Sequence, residues 1–210
     1  ERTPDMQGKP LRAVIEKGEK VHNGVLFGEF GRQIGVTDGD TVYIRAEAQD
    51  ADRITPISEY TLMPTRMAAY ITLEELSRAT MSEPLSFTKG TPVIKIPRIR
   101  DPQEVAALKE KWPESYTNLL FDMKRDPHQE HPLDDTRLEQ RMIALLCRLM
   151  RENDAPEAQF IHFGLPVREY GEGGFGKSSV FKEKPCRFGV AGLEAKQGRK
   201  RGYAGHSYAD

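Results

Sequence analysis

The chain has 210 residues, 38% hydrophobic and 30% charged, with a formal net charge of −1. This length suits one large domain or two small ones and is sufficient to bury a core. No run of about 18 apolar residues occurs and the first residues show no signal-peptide pattern, so we expect neither a transmembrane helix nor a secretory leader. We therefore expect a protein of the cytoplasm or of a virion. Two cysteines, Cys147 and Cys186, are too few for a disulfide framework.

The first 100 residues carry mainly strand and turn patterns. The short apolar runs and strand candidates are Leu11–Glu16, Val25–Phe30, Thr41–Arg45, Ile54–Leu62, Arg66–Ile71 and Thr91–Ile96. Asp38-Gly39 predicts a turn before the third of these. One short helix interrupts the pattern: Thr72 is suited to cap it and Glu75, three residues on, to reach back to the cap, and it is expected to end near Thr80.

The middle of the chain is predicted to be helical. Asp101-Pro102 supplies a cap and a first-turn proline, and Pro113 breaks this helix. A second helix is expected over Tyr116–Met123, followed by a polar loop, Arg125–Leu133. Asp134-Asp135 then opens the strongest helix of the chain, whose apolar positions are Leu138, Met142, Leu145, Leu146 and Leu149.

After this helix, Ala158–Phe163 is predicted to be a strand, and Arg187–Leu193 is one more strand candidate. Strands come first and helices cluster later, so the predicted fold class is α+β. We divide the chain into a mixed core domain, residues 1–167, and a basic Gly-rich segment, residues 168–210, which is either separate or part of the same domain.

The most distinctive feature is a reversal of charge near the end of the chain. Residues Arg168–Arg201 contain nine Lys or Arg and four Glu, a net charge of +5, whereas the remaining 176 residues carry −6. The segment is also rich in glycine. A flexible backbone with clustered cations is suited to contact a polyanion, although mobile tails have the same composition.

A possible metal-dependent active site lies within this segment at Glu194-Ala195-Lys196. On a strand these two charged side chains share one face, where a carboxylate holds Mg²⁺ and a lysine steadies a hydroxide or phosphate oxygen. The triplet resembles the E-x-K half of the PD-(D/E)xK nucleases. That resemblance implies an earlier acid, and because no Asp lies between Asp154 and Asp210, Glu169 or Glu172 would have to supply it. The alternative is an exposed Glu and Lys on a strand edge.

A glycine-rich loop, Gly171–Ser179, includes Gly171-x4-Gly176-Lys177-Ser178, which is similar to a Walker A loop letter for letter. The residues after it predict no good helix, because Pro185 breaks the run. We therefore favour a flexible loop, or one whose backbone N–H groups contact nucleic-acid phosphates.

The run Gly198–Tyr208 places three adjacent cations beside two tyrosines. Cations neutralise phosphates and aromatic rings stack on unpaired bases. The run resembles the glycine-rich basic loops of RNA-binding CRISPR subunits with RRM-like folds. A solvated C-terminal tail is the alternative.

These observations predict a non-catalytic subunit that contacts RNA or DNA within a larger viral, mobile-element or ribonucleoprotein assembly. The predicted contacts are phosphate contacts by Lys177, Lys182, Lys184, Arg187, Arg199, Lys200 and Arg201, and base stacking by Tyr203 and Tyr208. The partners would be nucleic acid and other protein subunits, with no membrane. One alternative is a Mg²⁺-dependent nuclease using Glu194, Lys196 and Glu172. The other is a purely structural assembly protein.

No resident cofactor or metal is expected outside the nuclease alternative. His128 and His131 lie three residues apart in the polar loop among acidic residues. That spacing is compatible with a metal, but a solvated loop is the favoured interpretation.

Overall fold

A computed structural model describes residues 8–30, 32–48, 51, 57–63, 65–66, 70–98 and 100–167. The chain divides into two units, Glu1–Glu169 and Tyr170–Asp210, and every described residue belongs to the first. Two antiparallel sheets lie in the N-terminal half and longer helices follow, so the α+β prediction is confirmed. Among the described residues, no helix has the length and apolar character that crossing a membrane requires.

The described residues form seven strands and five α-helices. The strands are β1 (Val25–Glu29), β2 (Gln33–Thr37), β3 (Thr41–Ala46), β4 (Ser58–Thr61), β5 (Thr80–Ser82), β6 (Val93–Pro97) and β7 (Leu119–Asp122). The helices are α1 (Arg12–Lys17), α2 (Leu73–Ser77), α3 (Pro102–Lys111), α4 (Thr136–Glu152) and α5 (Glu157–His162). Short 3₁₀ helices occupy Ser86–Thr88 and Pro113–Tyr116.

The first sheet has the order β1-β2-β3-β7, with all neighbours antiparallel. The predicted Asp-Gly turn joins β2 to β3. Asp38 Oδ1 accepts hydrogen bonds from the backbone N–H groups of Asp40 and Thr41, at 3.1 and 2.8 Å. Gly39 has φ +94°, a conformation that side chains other than glycine disfavour. This turn therefore fixes the hairpin locally.

The main core lies between this sheet and α4. Val36, Tyr43 and Leu120 come from neighbouring strands and pack with the buried face of α4, which carries Met142, Leu146, Cys147 and Met150. Asp135 caps α4 by accepting from the N–H of Leu138 at 2.9 Å. The predicted strongest helix is thereby confirmed, with the expected apolar face directed to the core.

The second sheet has the order β4-β6-β5, with β6 in the centre. Val93 and Ile96 of β6 are 2% and 1% exposed. Beside it, α2 begins with the predicted capping box: Thr72 Oγ1 accepts from the N–H of Glu75, and the Glu75 carboxylate accepts from the N–H of Thr72. This helix ends at Ser77, before β5.

Three element predictions are wrong. The run Leu11–Glu16 forms most of α1, which ends at Lys17 and is followed by Gly18 with φ +64°. The helix expected over Tyr116–Met123 is replaced by β7, because its Leu-Leu-Phe run pairs with β3. The strand expected at Ala158–Phe163 is α5; Phe160 in this helix and Phe163 directly after it, three residues apart, both join the core.

Other predicted strands are only partly described. Of Ile54–Leu62, only Ser58–Thr61 is a described strand. Arg66–Ile71 includes residues outside the described part, and next to them Thr65 and Tyr70 form an isolated antiparallel bridge. The candidate Arg187–Leu193 lies outside the described residues.

Candidate functional site

All predicted site residues lie outside the described part of the chain, which ends at Val167. They are Glu172, Lys177, Lys182, Lys184, Arg187, Glu194, Lys196, Arg199, Lys200, Arg201, Tyr203 and Tyr208. The Walker-like loop Gly171–Ser179 lies there too. Their phosphate, base and metal contacts therefore stay predictions, and the candidate chemistry of the described residues comes from other charged side chains.

A buried ionic cluster surrounds Glu47, the residue after β3. Its side chain is 4% exposed and forms an ion pair with Arg100, which precedes α3. Lys109 Nζ of α3 lies 3.4 Å from Glu47 Oε1, and His162 Nε2 at the end of α5 lies 3.6 Å from Oε2. One carboxylate is thus shared by three side chains, from α3, the segment that precedes it and α5.

Backbone contacts hold this cluster in place at the end of β3. The N–H of Ala48 donates to the carbonyl oxygen of His162 at 2.9 Å. Arg45 Nε donates to the carbonyl oxygen of Phe163 at 2.8 Å. Because the end of α5 is attached to the strand on both sides of Glu47, the imidazole of His162 is directed to the carboxylate.

The electrostatic environment keeps Glu47 ionised. Burial raises the pKa of Glu47, but the contacts with His162 and Arg100 and the charges of Arg100 and Lys109 outweigh burial, so the net pKa is lowered. A carboxylate with a lowered pKa is a weak proton acceptor. Two surface depressions, one beside α1 and one beside α2, are lined by other residues. The cluster therefore favours a structural role in holding α3 and α5 to the sheet.

A second ionic network lies beside the smaller sheet and centres on Arg66. Its guanidinium donates to Glu59 at 2.9 Å and to Glu75 at 2.7 Å. Chiefly through the hydrogen bond from Arg66, the pKa of Glu75 is lowered to about 2. Arg98 also contacts Glu59, at 3.3 Å. Glu59 and Glu75 therefore offset much of the positive charge of these arginines in the groove beside α2.

The exposed side of α4 carries a different arrangement of charge. We name three arginines there, Arg137, Arg141 and Arg148, the α4 basic face. All three are exposed, and Gln140 and Ala144 lie between them. Arg141 is 2.9 Å from Asp38 and Arg148 is 3.8 Å from Glu152, whereas Arg137 forms no ion pair with the described residues. This face therefore retains more positive than negative charge.

Two lysines extend this charge around the β2–β3 turn. Lys20 Nζ donates to the carbonyl oxygen of Asp38 at 2.6 Å. Lys124 Nζ lies 3.1 Å from the carboxylate of Asp40. Three cations therefore meet at this turn: Lys20 from the segment before β1, Lys124 from the segment after β7, and Arg141 from α4.

The polar loop that carries His128 and His131 is organised around a carboxylate. Asp126 organises this loop by accepting the backbone N–H groups of Glu130 at 3.1 Å and His131 at 2.8 Å. These hydrogen bonds lower the pKa of Asp126. Within the described ranges, no group of three or more His, Cys, Asp or Glu side chains is placed to hold a metal ion.

Sequence reasoning missed both the Glu47 cluster and the α4 basic face. The members of the first, Glu47, Arg100, Lys109 and His162, are far apart in the chain and form no motif. The second had a readable signal, since Arg137, Arg141 and Arg148 recur at intervals of four and seven on the polar side of the predicted helix.

No protein-family model, no curated protein and no solved structure matches this chain. Its function therefore has to be inferred from the residues and their geometry.

Proposed function

We propose that this protein is a non-catalytic subunit that contacts RNA or DNA within a larger viral, mobile-element or ribonucleoprotein assembly, in the cytoplasm or within a virion. The observation that carries this proposal is the charge reversal: Arg168–Arg201 has a net charge of +5 in a chain whose total is −1. Lysine and arginine that neutralise phosphates release counterions, which supplies most of the affinity of non-specific binding.

The chemistry of the described residues supports a binding role over a catalytic one. Glu47, the most buried carboxylate of the ionic clusters, is held ionised by Arg100 and Lys109. Glu59 and Glu75 are engaged by Arg66. These carboxylates are suited to stabilise the fold, whereas acid–base catalysis needs a group whose pKa lies near the operating pH.

The proposal is tested by replacing Arg199, Lys200 and Arg201 together with alanine in the full chain. Binding to labelled single-stranded RNA and duplex DNA is measured by fluorescence anisotropy across a salt series. Each phosphate contact contributes about 0.7 to the salt slope for a single strand and about 0.9 for duplex DNA. We therefore expect the variant to bind more weakly, with a slope smaller by about 2 to 3.

A matched control removes three exposed cations from the described unit: Arg12, Lys17 and Arg78, whose side chains are 82%, 67% and 44% exposed. Replacing them with alanine changes the net charge equally. Equal effects of the two triple variants, or no effect of the first, would contradict the proposal. If the wild type binds neither probe and its oligomers persist after nuclease treatment, a purely structural role is favoured.

The nuclease alternative is supported by the spacing of Glu194 and Lys196, and the same probes decide it. Incubation with Mg²⁺ leaves them intact if the protein is non-catalytic. Cleavage that a chelator and Glu194→Gln both abolish would replace the non-catalytic part of the proposal with a metal-dependent activity.

A further inference from the structure

We infer that the α4 basic face, Arg137, Arg141 and Arg148, is a second phosphate-contact surface of this protein, separate in sequence from the C-terminal basic segment. The inference rests on the proposed function, since it requires that the protein bind nucleic acid. It extends nucleic-acid contact, which the proposed function assigns to residues 168–210, to a helix of the described unit.

The spacing of these arginines suits a nucleic-acid backbone. With a helical rise of about 1.5 Å per residue, Arg137 and Arg141 are offset along α4 by about 6 Å, and Arg141 and Arg148 by about 10.5 Å. The minor and major grooves of duplex DNA are about 6 and 12 Å wide. Long guanidinium side chains at these intervals can reach phosphates on the two sides of a groove.

The helix that carries the arginines is held rigidly. Its opposite face includes Met142 and Leu146, both 0% exposed, in the main core, and Asp135 caps its first turn. The backbone positions of the arginines are therefore fixed before any partner binds, so the binding cost in conformational entropy is confined to their side chains.

The side-chain types on this face favour a polyanion over a protein partner. Between the arginines lie Gln140 and Ala144, and none of the exposed large hydrophobic residues of the described part belongs to α4. Protein interfaces depend on a buried apolar centre, which this face lacks. Phosphate contact needs no such centre, and the planar guanidinium can donate two parallel hydrogen bonds to a phosphate.

The acidic residues around this face differ in how firmly they are engaged. Asp134 and Asp135 precede α4, and Asp135 is engaged as its cap. Glu152 is 57% exposed and its contact with Arg148 is 3.8 Å long, so solvent competes with the pair. Asp38 is directed to Arg141, and Asp40 to Lys124. Arg137 and Arg148 are therefore the two arginines of this face that a phosphate engages with the least competition.

The test compares two double variants of the full chain with equal net charge. The test variant is R137Q/R148Q; Arg141 is kept because it also contacts Asp38 and Thr41. The control is R12Q/R78Q, which removes two exposed arginines that, like Arg148, pair with a glutamate four residues away. Circular dichroism confirms that both variants are folded.

Binding to labelled duplex DNA and to single-stranded RNA is measured between 50 and 200 mM salt. Losing two phosphate contacts lowers the duplex salt slope by about 1.8. The fold-decrease in affinity between the lowest and highest salt is therefore about tenfold smaller for the test variant than for the wild type. The control keeps the wild-type slope. A lowered slope for the test variant alone, on either probe, supports the inference.

The contrary outcomes separate this inference from the proposed function. Salt-dependent binding by the wild type with equal slopes for the test and control variants overturns the second surface and leaves the proposed function in place. An acidic protein as the true occupant gives this same result. If the wild type binds neither probe, the proposed function and this inference both fail.

Discussion

Replacing Glu47 with glutamine removes one negative charge from a side chain that is 4% exposed while it preserves its size. Arg100, 13% exposed, then keeps its charge in a largely buried position without its carboxylate. Breaking a buried pair by removing one partner costs about 3–5 kcal/mol. Lys109 is 44% exposed and can turn to water, which favours the lower limit, about 3 kcal/mol. For a protein of this size, we expect Tm to fall by about 6–12 °C.

The loss should depend on pH with a definite sign. The folded-state pKa of Glu47 lies below its ordinary value of 4.5. The carboxylate therefore contributes stability that is fully present above the unfolded pKa and is lost as pH falls through the folded pKa. Urea unfolding of the wild type and E47Q, followed by circular dichroism from neutral pH downward, should give a difference that is largest near neutrality and shrinks in acid.

An exposed pair supplies the control. Glu74 is 75% exposed and lies 2.9 Å from Arg78, so E74Q should cost less than about 0.5 kcal/mol. The reasoning is refuted if E47Q and E74Q unfold within about 1 kcal/mol of each other at neutral pH. A difference between the wild type and E47Q that does not change with pH would also refute it, because the lost stability would then not come from the missing carboxylate.

Two further predictions concern α4 and the first sheet. Asp135→Ala removes the cap of α4 and should lower the free energy of unfolding by about 1 kcal/mol in urea titrations; an unchanged midpoint would contradict this. Gly35→Ala places a Cβ where the Phe27 ring lies on the neighbouring strand. Because this ring is exposed and can turn aside, the cost should be about 1 kcal/mol, the lower limit for added volume. In a Phe27→Ala background that cost should disappear, and a persistent cost would locate the strain elsewhere.

The local signals in the sequence predicted their structures correctly. The capping pair Thr72 and Glu75, the turn at Asp38-Gly39 and the cap at Asp135 all connect residues a few positions apart. Their contacts do not depend on the remainder of the chain. The apolar face of α4 was equally clear, since its pattern persists over 17 residues.

The wrong predictions share a dependence on distant partners. The apolar run at β7 is too short to distinguish helix from strand by periodicity, and pairing with β3, more than 70 residues earlier, decides it. In α5, the same ambiguity is decided by packing of Phe160 against the core formed by α4 and the sheet. No signal within either run records these contacts.

The Glu47 cluster was unpredictable for the same reason, because Arg100, Lys109 and His162 reach it from different elements. The C-terminal site residues, in contrast, are predicted from composition and short motif fragments, which can be recognised within one stretch of the sequence. The α4 basic face could be predicted in part. The spacing of its arginines is visible once the helix is predicted, but only the structure shows that their side chains are exposed.

The charged residues of the described unit serve two distinct purposes, which ionic strength can separate. Buried pairs such as Glu47 with Arg100 are screened little by salt, so their effect on unfolding should vary little between 50 and 200 mM. Exposed arginines such as Arg137 and Arg148 act on a partner through counterion release, so their effect on binding should vary steeply across the same range. Measuring unfolding and binding of the Glu47 and Arg137 variants in the same salt series therefore assigns each charge to the fold or to the partner.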